Sequence, residues 1–148
     1  MKRIIGVGNL LLRDEGVGVH LIEYLKNRSL PPDVELVDAA AGGFDLLEYI
    51  EGAEKVVIVD AIKAEGEPGA VYKFKPGDFQ TDAVTTTSLH DVALKDIFHI
   101  LELKKALPAV TVFGVQPKEI ALSAELSPAI QDLLPRLADL VVEEISHA

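Results

Sequence analysis

Four polar residues have the types and positions to do chemistry together: Glu15, Asp38, Asp60 and His90. Each acid follows or closes a short apolar, β-branched run, so each is expected at the carboxyl edge of a parallel sheet. Such sheets bind ligands there, at a topological switch point. Carboxylates gathered at one edge repel one another unless a cation or the donors of a substrate compensate. Glu15, Asp60 and His90 would make an O,O,N donor set with open positions. That set suits a borderline divalent ion such as nickel, zinc or manganese, and the open positions imply an ion that also meets a substrate. Taken singly, each acid reads more simply as a loop solubiliser or helix cap; a histidine at the same edge shifts the balance.

His90 is singled out by phase. Steps of four, three and four residues from it reach Leu94, Ile97 and Leu101, so it heads the apolar, sheet-facing stripe of a helix that opens near the strand ends. It is then either a satisfied core histidine or a ligand aimed into the cleft. His99 lies nine residues on, half a turn out of phase at ~100° per residue, in line with Lys95 and Glu102. It is expected on the solvated face. His20 shares a helix side with Glu23 and Asn27, and His147 sits in the tail, so neither is expected to bind metal.

The loop before Glu15, Gly6-Val7-Gly8-Asn9, invites a dinucleotide reading, but the position for a third glycine is Leu11. Asp14-Glu15 would also stand where phosphates should sit. The glycines are better read as letting a strand end tightly and the chain turn. With no cysteine, thiolate nucleophiles, disulfides, iron–sulfur ligation and soft zinc sites are excluded together. No helix carries two histidines flanking a glutamate, and no serine stands in a recognisable nucleophile setting, so an acyl-enzyme is not expected.

The elements that must position these residues follow from periodicity. Residues 2–8 read as a buried strand, 15–28 as an amphipathic helix stopped by Pro31-Pro32, and 34–37 as a strand closed by Asp38. A small-residue loop leads into a helix over 44–50, and the Val-Val-Ile-Val run of 55–59 is a strand ending at Asp60. This alternation predicts a three-layer α/β/α sandwich around a mostly parallel, twisted sheet of about five strands. The alternating segment 71–75 predicts its one antiparallel edge strand. Residues 76–87 are polar and irregular. Ser88 is the expected cap of the His90 helix, which runs to about 104, and 109–115 is the last central strand. Ser127 with Pro128 opens a final helix to about 146, which Pro135 should kink or interrupt.

The length of 148 residues fits a single domain spanning 1–148. A formal charge of −10 repels phosphate backbones, which argues against nucleic acid as a partner. No stretch approaches the ~20 apolar residues of a membrane helix, and the N-terminus enters a strand with no signal-peptide pattern. A cytoplasmic protein without membrane insertion is expected, monomeric when free.

Five stretches then carry a family resemblance: GVGNLLLRDEGVGVH at 6–20, VDAAAGGFDLL at 37–47, VVIVDAI at 56–62, SLHDVAL at 88–94 and VFGVQP at 112–117. In these, and in their order, the chain resembles the nickel–iron hydrogenase maturation endopeptidases. The resemblance implies a hydrolase, aspartic-type-like, that activates a hydrogenase by removing the C-terminal extension of its large-subunit precursor after nickel insertion. It further implies that Glu15, Asp60 and His90 bind nickel supplied by the precursor rather than held permanently, and that Asp38 serves recognition or cleavage. One departure stands out: the family usually follows this aspartate with Gly-Gly-Thr, where this chain has Ala39-Ala40-Ala41, with Gly43 retained. Two alternatives stay open, a metal-binding maturation chaperone without peptidase activity and a self-sufficient zinc-type metallohydrolase.

Overall fold

The structure is a computed structural model that describes residues 1–40, 45–64, 66–80, 85–86 and 91–147. Its strands are β1 (Lys2–Gly6), β2 (Val34–Asp38), β3 (Lys55–Lys63), β4 (Val71–Phe74), β5 (Thr85–Thr86) and β6 (Ala109–Val115). The helices are α1 (Val17–Leu25), α2 (Asp45–Ile50), α3 (Asp91–Leu103), α4 (Pro128–Gln131) and α5 (Leu134–Ser146). Two 3₁₀ helices, Arg13–Gly16 and Pro76–Gln80, complete the described elements.

The main sheet has the order β2-β1-β3-β6-β4, with β1, β2, β3 and β6 parallel and β4 antiparallel on β6. The expected antiparallel edge strand is therefore present. The chain leaves β1 for β2 on one side and then crosses to β3 on the other, which puts the topological switch between β1 and β3. The two-residue strand β5 pairs antiparallel with Ile62 and Lys63.

Alternation along the strands builds two cores, one on each face of the sheet. Ile4, Val57, Val59 and Val115 bury themselves against α1 and α5 through Leu21, Leu25, Leu137 and Val141. Ile5, Val56, Ile58 and Val112 face the other way, against Leu46 and Ile50 of α2 and Leu94, Ile97 and Leu101 of α3. The stripe expected for the His90 helix is thus the buried one, and His99 is exposed as expected.

Two boundaries and one cap differ from the sequence expectation. β3 does not stop at Asp60 but runs on to Lys63, because Ala61 pairs with Val115 and the next two residues pair with β5. The helix expected from residue 15 opens as 3₁₀ at Arg13 and becomes α-helical at Val17; it ends at Leu25 in a turn tightened by Arg28 N to Leu25 O at 3.0 Å. Pro135 does interrupt the last helix, splitting it into α4 and α5. Ser127 precedes α4 as expected but gives no side-chain cap, since its hydroxyl is engaged elsewhere. The Ser88 cap lies outside the described residues.

Candidate functional site

The loop from β1 to α1 is pressed onto the carboxyl edge of the sheet by very close backbone approaches. Val7 N donates to Val59 O at 2.9 Å and Gly8 N to Ala40 O at 2.7 Å, tying the loop to β3 and to the segment after β2. At Gly8, where φ is +151°, a Cβ would stand 2.1 Å from the Glu15 carbonyl oxygen. At Gly18 a Cβ would stand 2.2 Å from the Val59 carbonyl oxygen. Neither position admits a side chain, so the first turn of α1 and the Arg13–Gly16 turn sit directly over β1 and β3. Here the early glycines act as spacing elements, as the sequence suggested.

The two acids of that turn are treated in opposite ways. Asp14 is fully buried, and its carboxylate accepts four hydrogen bonds. The backbone N–H groups of Lys118 (3.0 Å) and Glu119 (2.8 Å) and the Ser127 hydroxyl (2.7 Å) donate to Oδ2, and Ser127 N donates to Oδ1 (2.8 Å). Burial pushes the Asp14 pKa up, but the bonds from Glu119, Ser127 and Lys118 outweigh it, and the group stays below its ordinary value. Asp14 thereby clamps the Glu15 turn to the segment between β6 and α4. Arg13 enters this turn in the left-handed region (φ +49°), its N–H held by Ser123 O at 2.9 Å.

Glu15, the next residue, is 5% exposed, and its carboxylate has no hydrogen-bonded or ion-paired partner among the described residues. Burial alone raises its pKa. A buried carboxylate with no donor among the described residues would be stabilised by an arriving cation or proton.

Asp60 is buried within β3, one residue beyond Val59, which pairs with Gly6 of β1. By alternation with Val56 and Ile58 it belongs to the face covered by α2 and α3. Its Oδ1 accepts from Ala61 N at 2.8 Å. Asp38 closes β2 opposite Gly6, is exposed, and accepts from Ala40 N at 2.8 Å in a tight local turn. Ala40, in the stretch where the family usually has glycine, holds a φ of +46°. Glu15, Asp38 and Asp60 are therefore brought to one edge of the sheet, at the switch between β1 and β3. His90 lies outside the described residues, just before α3, which packs on the Asp60 face. Among the described residues no three acidic or histidine side chains converge on one ion site.

A family model described as hydrogenase maturation protease (HycI) matches residues 19–144. The chain belongs to the hydrogenase maturation protease family. It is thus a hydrolase of the protease class. It is 29% identical to the hydrogenase 2 maturation protease of Escherichia coli K12, over 96% of this chain and 93% of that one. It is 31% identical to a putative hydrogenase maturation protease of Methanocaldococcus jannaschii, over 96% and 92% of the two chains. Among solved structures, the hydrogenase maturating endopeptidase HybD from E. coli superposes with a TM-score of 0.86 at 27% identity, covering 97% of this chain and 90% of that one.

Within this protease, sequence reasoning singled out Glu15 and gave no role to its neighbour. Asp14 is the residue it missed, since all four donors to its carboxylate lie beyond residue 117. Also unforeseen was His20, expected on a polar helix side. It is half-buried, its Nε2 is enclosed without a partner among the described residues, and burial lowers its pKa against opposing pulls from the Ala124 backbone, Asp14 and Glu23.

Proposed function

We propose that this protease removes the C-terminal extension of a nickel–iron hydrogenase large-subunit precursor once nickel has been inserted. The observation that carries this reading is Glu15, a buried carboxylate at the switch point with no donor among the described residues, in a chain of the hydrogenase maturation protease family. Glu15, Asp60 and His90 complete the coordination of the nickel that the precursor brings, so an apo-precursor lacks the element that seats it. Imidazole and carboxylate oxygens suit such a borderline ion. Nickel bound there would supply Lewis acidity toward the scissile carbonyl.

The residues of this chain do the remaining work. Asp14 fixes the turn that carries Glu15, the fold buries Glu15 at the sheet edge, and Asp38, exposed at the end of β2, meets the extension during recognition or cleavage. The protein then acts on a folded partner in the compartment where hydrogenase precursors mature, the cytoplasm.

Incubation with nickel-loaded precursor, with the mass of the released peptide as readout, tests this. Release that requires nickel in the precursor and is lost in Glu15→Ala, Asp60→Ala and His90→Ala, each still folded, is the expected result. Efficient cleavage of apo-precursor would remove the nickel checkpoint, and retained processing in all three variants would remove the site.

A further inference from the structure

Among the described residues six large hydrophobic side chains stand exposed, and four of them, Leu10, Leu11, Ile120 and Leu122, belong to two loops. The loops are joined as one platform: Ser123 N donates to Leu11 O at 2.9 Å, Arg13 N to Ser123 O at 2.9 Å, and Leu12 and Ser123 form a parallel bridge. The Asp14 clamp holds the same two segments together from below. Leu11 is 61% and Leu122 86% exposed, which nothing in the fold of this chain requires.

We infer that Leu10, Leu11, Ile120 and Leu122 form the docking surface for the hydrogenase large-subunit precursor, an inference that rests on the processing function proposed above. Two observations select this occupant. The platform is continuous with the candidate site: a Cβ on Gly16 would stand 3.1 Å from the Leu10 Cα, so the leucine loop packs on the residue next to Glu15. A protein cut at this edge must lie over these side chains. A second copy of this chain seated there would instead cover the turn that receives the substrate.

Charge points the same way. The chain carries a formal charge of −10, yet Arg13 and Glu119, beside these loops, pair with each other at 3.5 Å. The patch offers exposed apolar carbon, suited to an apolar surface on the precursor. Desolvation of a few such anchors dominates the affinity of protein interfaces.

The test is a Leu11→Asp, Leu122→Asp double variant, with Leu103→Asp, an exposed leucine at the end of α3, as control. Processing kinetics on nickel-loaded precursor are measured beside direct binding to immobilised precursor, sedimentation and thermal melting. The expected result is a melting temperature unchanged within error, a KM and a dissociation constant raised at least about tenfold, a kcat within about twofold, and no effect of the control. If the wild-type chain binds precursor but releases no peptide, the processing function fails while docking stands. If the double variant binds and cuts like wild type, docking fails while the processing function stands. Self-association of the wild type that the double variant abolishes, or no binding of precursor by the wild type, also overturns the docking assignment.

Discussion

Replacing Asp14 by alanine should be among the most damaging single polar substitutions in this chain, and the structure says by how much. The change strands four donors. Ser127 N and the Ser127 hydroxyl sit in buried bonds, and the Lys118 and Glu119 N–H groups in partly buried ones. A buried donor left unmade costs about 1–3 kcal/mol, and the two nearer the surface recover part of theirs from water. Removing the desolvated charge itself returns some of the loss, so a net destabilisation of about 3–5 kcal/mol is expected. Against a typical total of about 5–15 kcal/mol this is a large fraction. For a chain of this size it corresponds to a fall in Tm of roughly 6–20 °C. Asp14→Asn should lose less, about 2–3 kcal/mol, because one amide oxygen still accepts while the amide NH₂ opposes a donor wherever it points. The pH dependence has a definite sign. The folded pKa is lowered, so the stabilisation is complete above the unfolded carboxylate range and disappears as pH falls through the folded value. With no tryptophan and three tyrosines, urea unfolding followed by far-UV circular dichroism at pH 7 and pH 3 is the suitable assay. A loss below about 1 kcal/mol for Asp14→Ala, or a wild-type advantage that does not shrink at pH 3, would refute the clamp.

Glu15→Gln should do the reverse to stability. Its folded pKa is raised, so ionisation costs stability above that pKa, and the cost vanishes as pH drops toward the unfolded value. The variant should melt higher at pH 7 by about 2–4 °C per kcal/mol recovered, converge with wild type on acidification, and fail to process precursor; a lower Tm at pH 7 would count against a bare carboxylate. Ala40→Gly relieves a left-handed alanine worth roughly 1–2 kcal/mol, offset by roughly 0.5–1 kcal/mol of chain entropy, so urea unfolding should show a small gain. At the opposite edge of the sheet, Glu144 is pulled down to about 2: burial opposes this, but the Lys73 and Thr111 hydrogen bonds and the Lys73 and Lys55 charges prevail. Glu144→Gln should cost about 1–3 kcal/mol at pH 7 and progressively less as pH falls below the ordinary glutamate range toward 2, with processing of the precursor unchanged.

What the sequence made legible is what periodicity carries. The mostly parallel sheet follows from the alternation of strands and helices over roughly sixty residues, while the edge strand β4, the buried stripe Leu94, Ile97 and Leu101, and the break at Pro135 each follow from a local pattern. The extension of β3 through Ala61-Ile62-Lys63 was hidden because it depends on pairing with Val115 and with Thr85-Thr86, both far away in the chain. Ser127 looked like a simple cap because its true partner, Asp14, lies 113 residues earlier. What was readable of the candidate site is the placement of its acids: Asp38 ends β2, Asp60 lies one residue beyond the β1–β3 pairing, and Glu15 sits in the turn after β1, all toward the carboxyl edge of the sheet. Which of two adjacent acids would be bare was not readable, since local sequence says nothing about donors arriving from another loop.

That pair is the most informative feature of the molecule. Asp14 and Glu15 are neighbours in one turn, both buried, yet one is saturated with donors and its pKa is lowered, while the other has none among the described residues and burial raises its pKa. Random burial of two carboxylates would cost stability twice over. Here the four bonds to Asp14 offset its burial and fix the backbone of the very turn that buries Glu15 without a donor among the described residues. A local rule broken beside one satisfied this thoroughly is the mark of a site that waits for a ligand. On the reading proposed above that ligand carries positive charge, which would offset the burial that raises the Glu15 pKa.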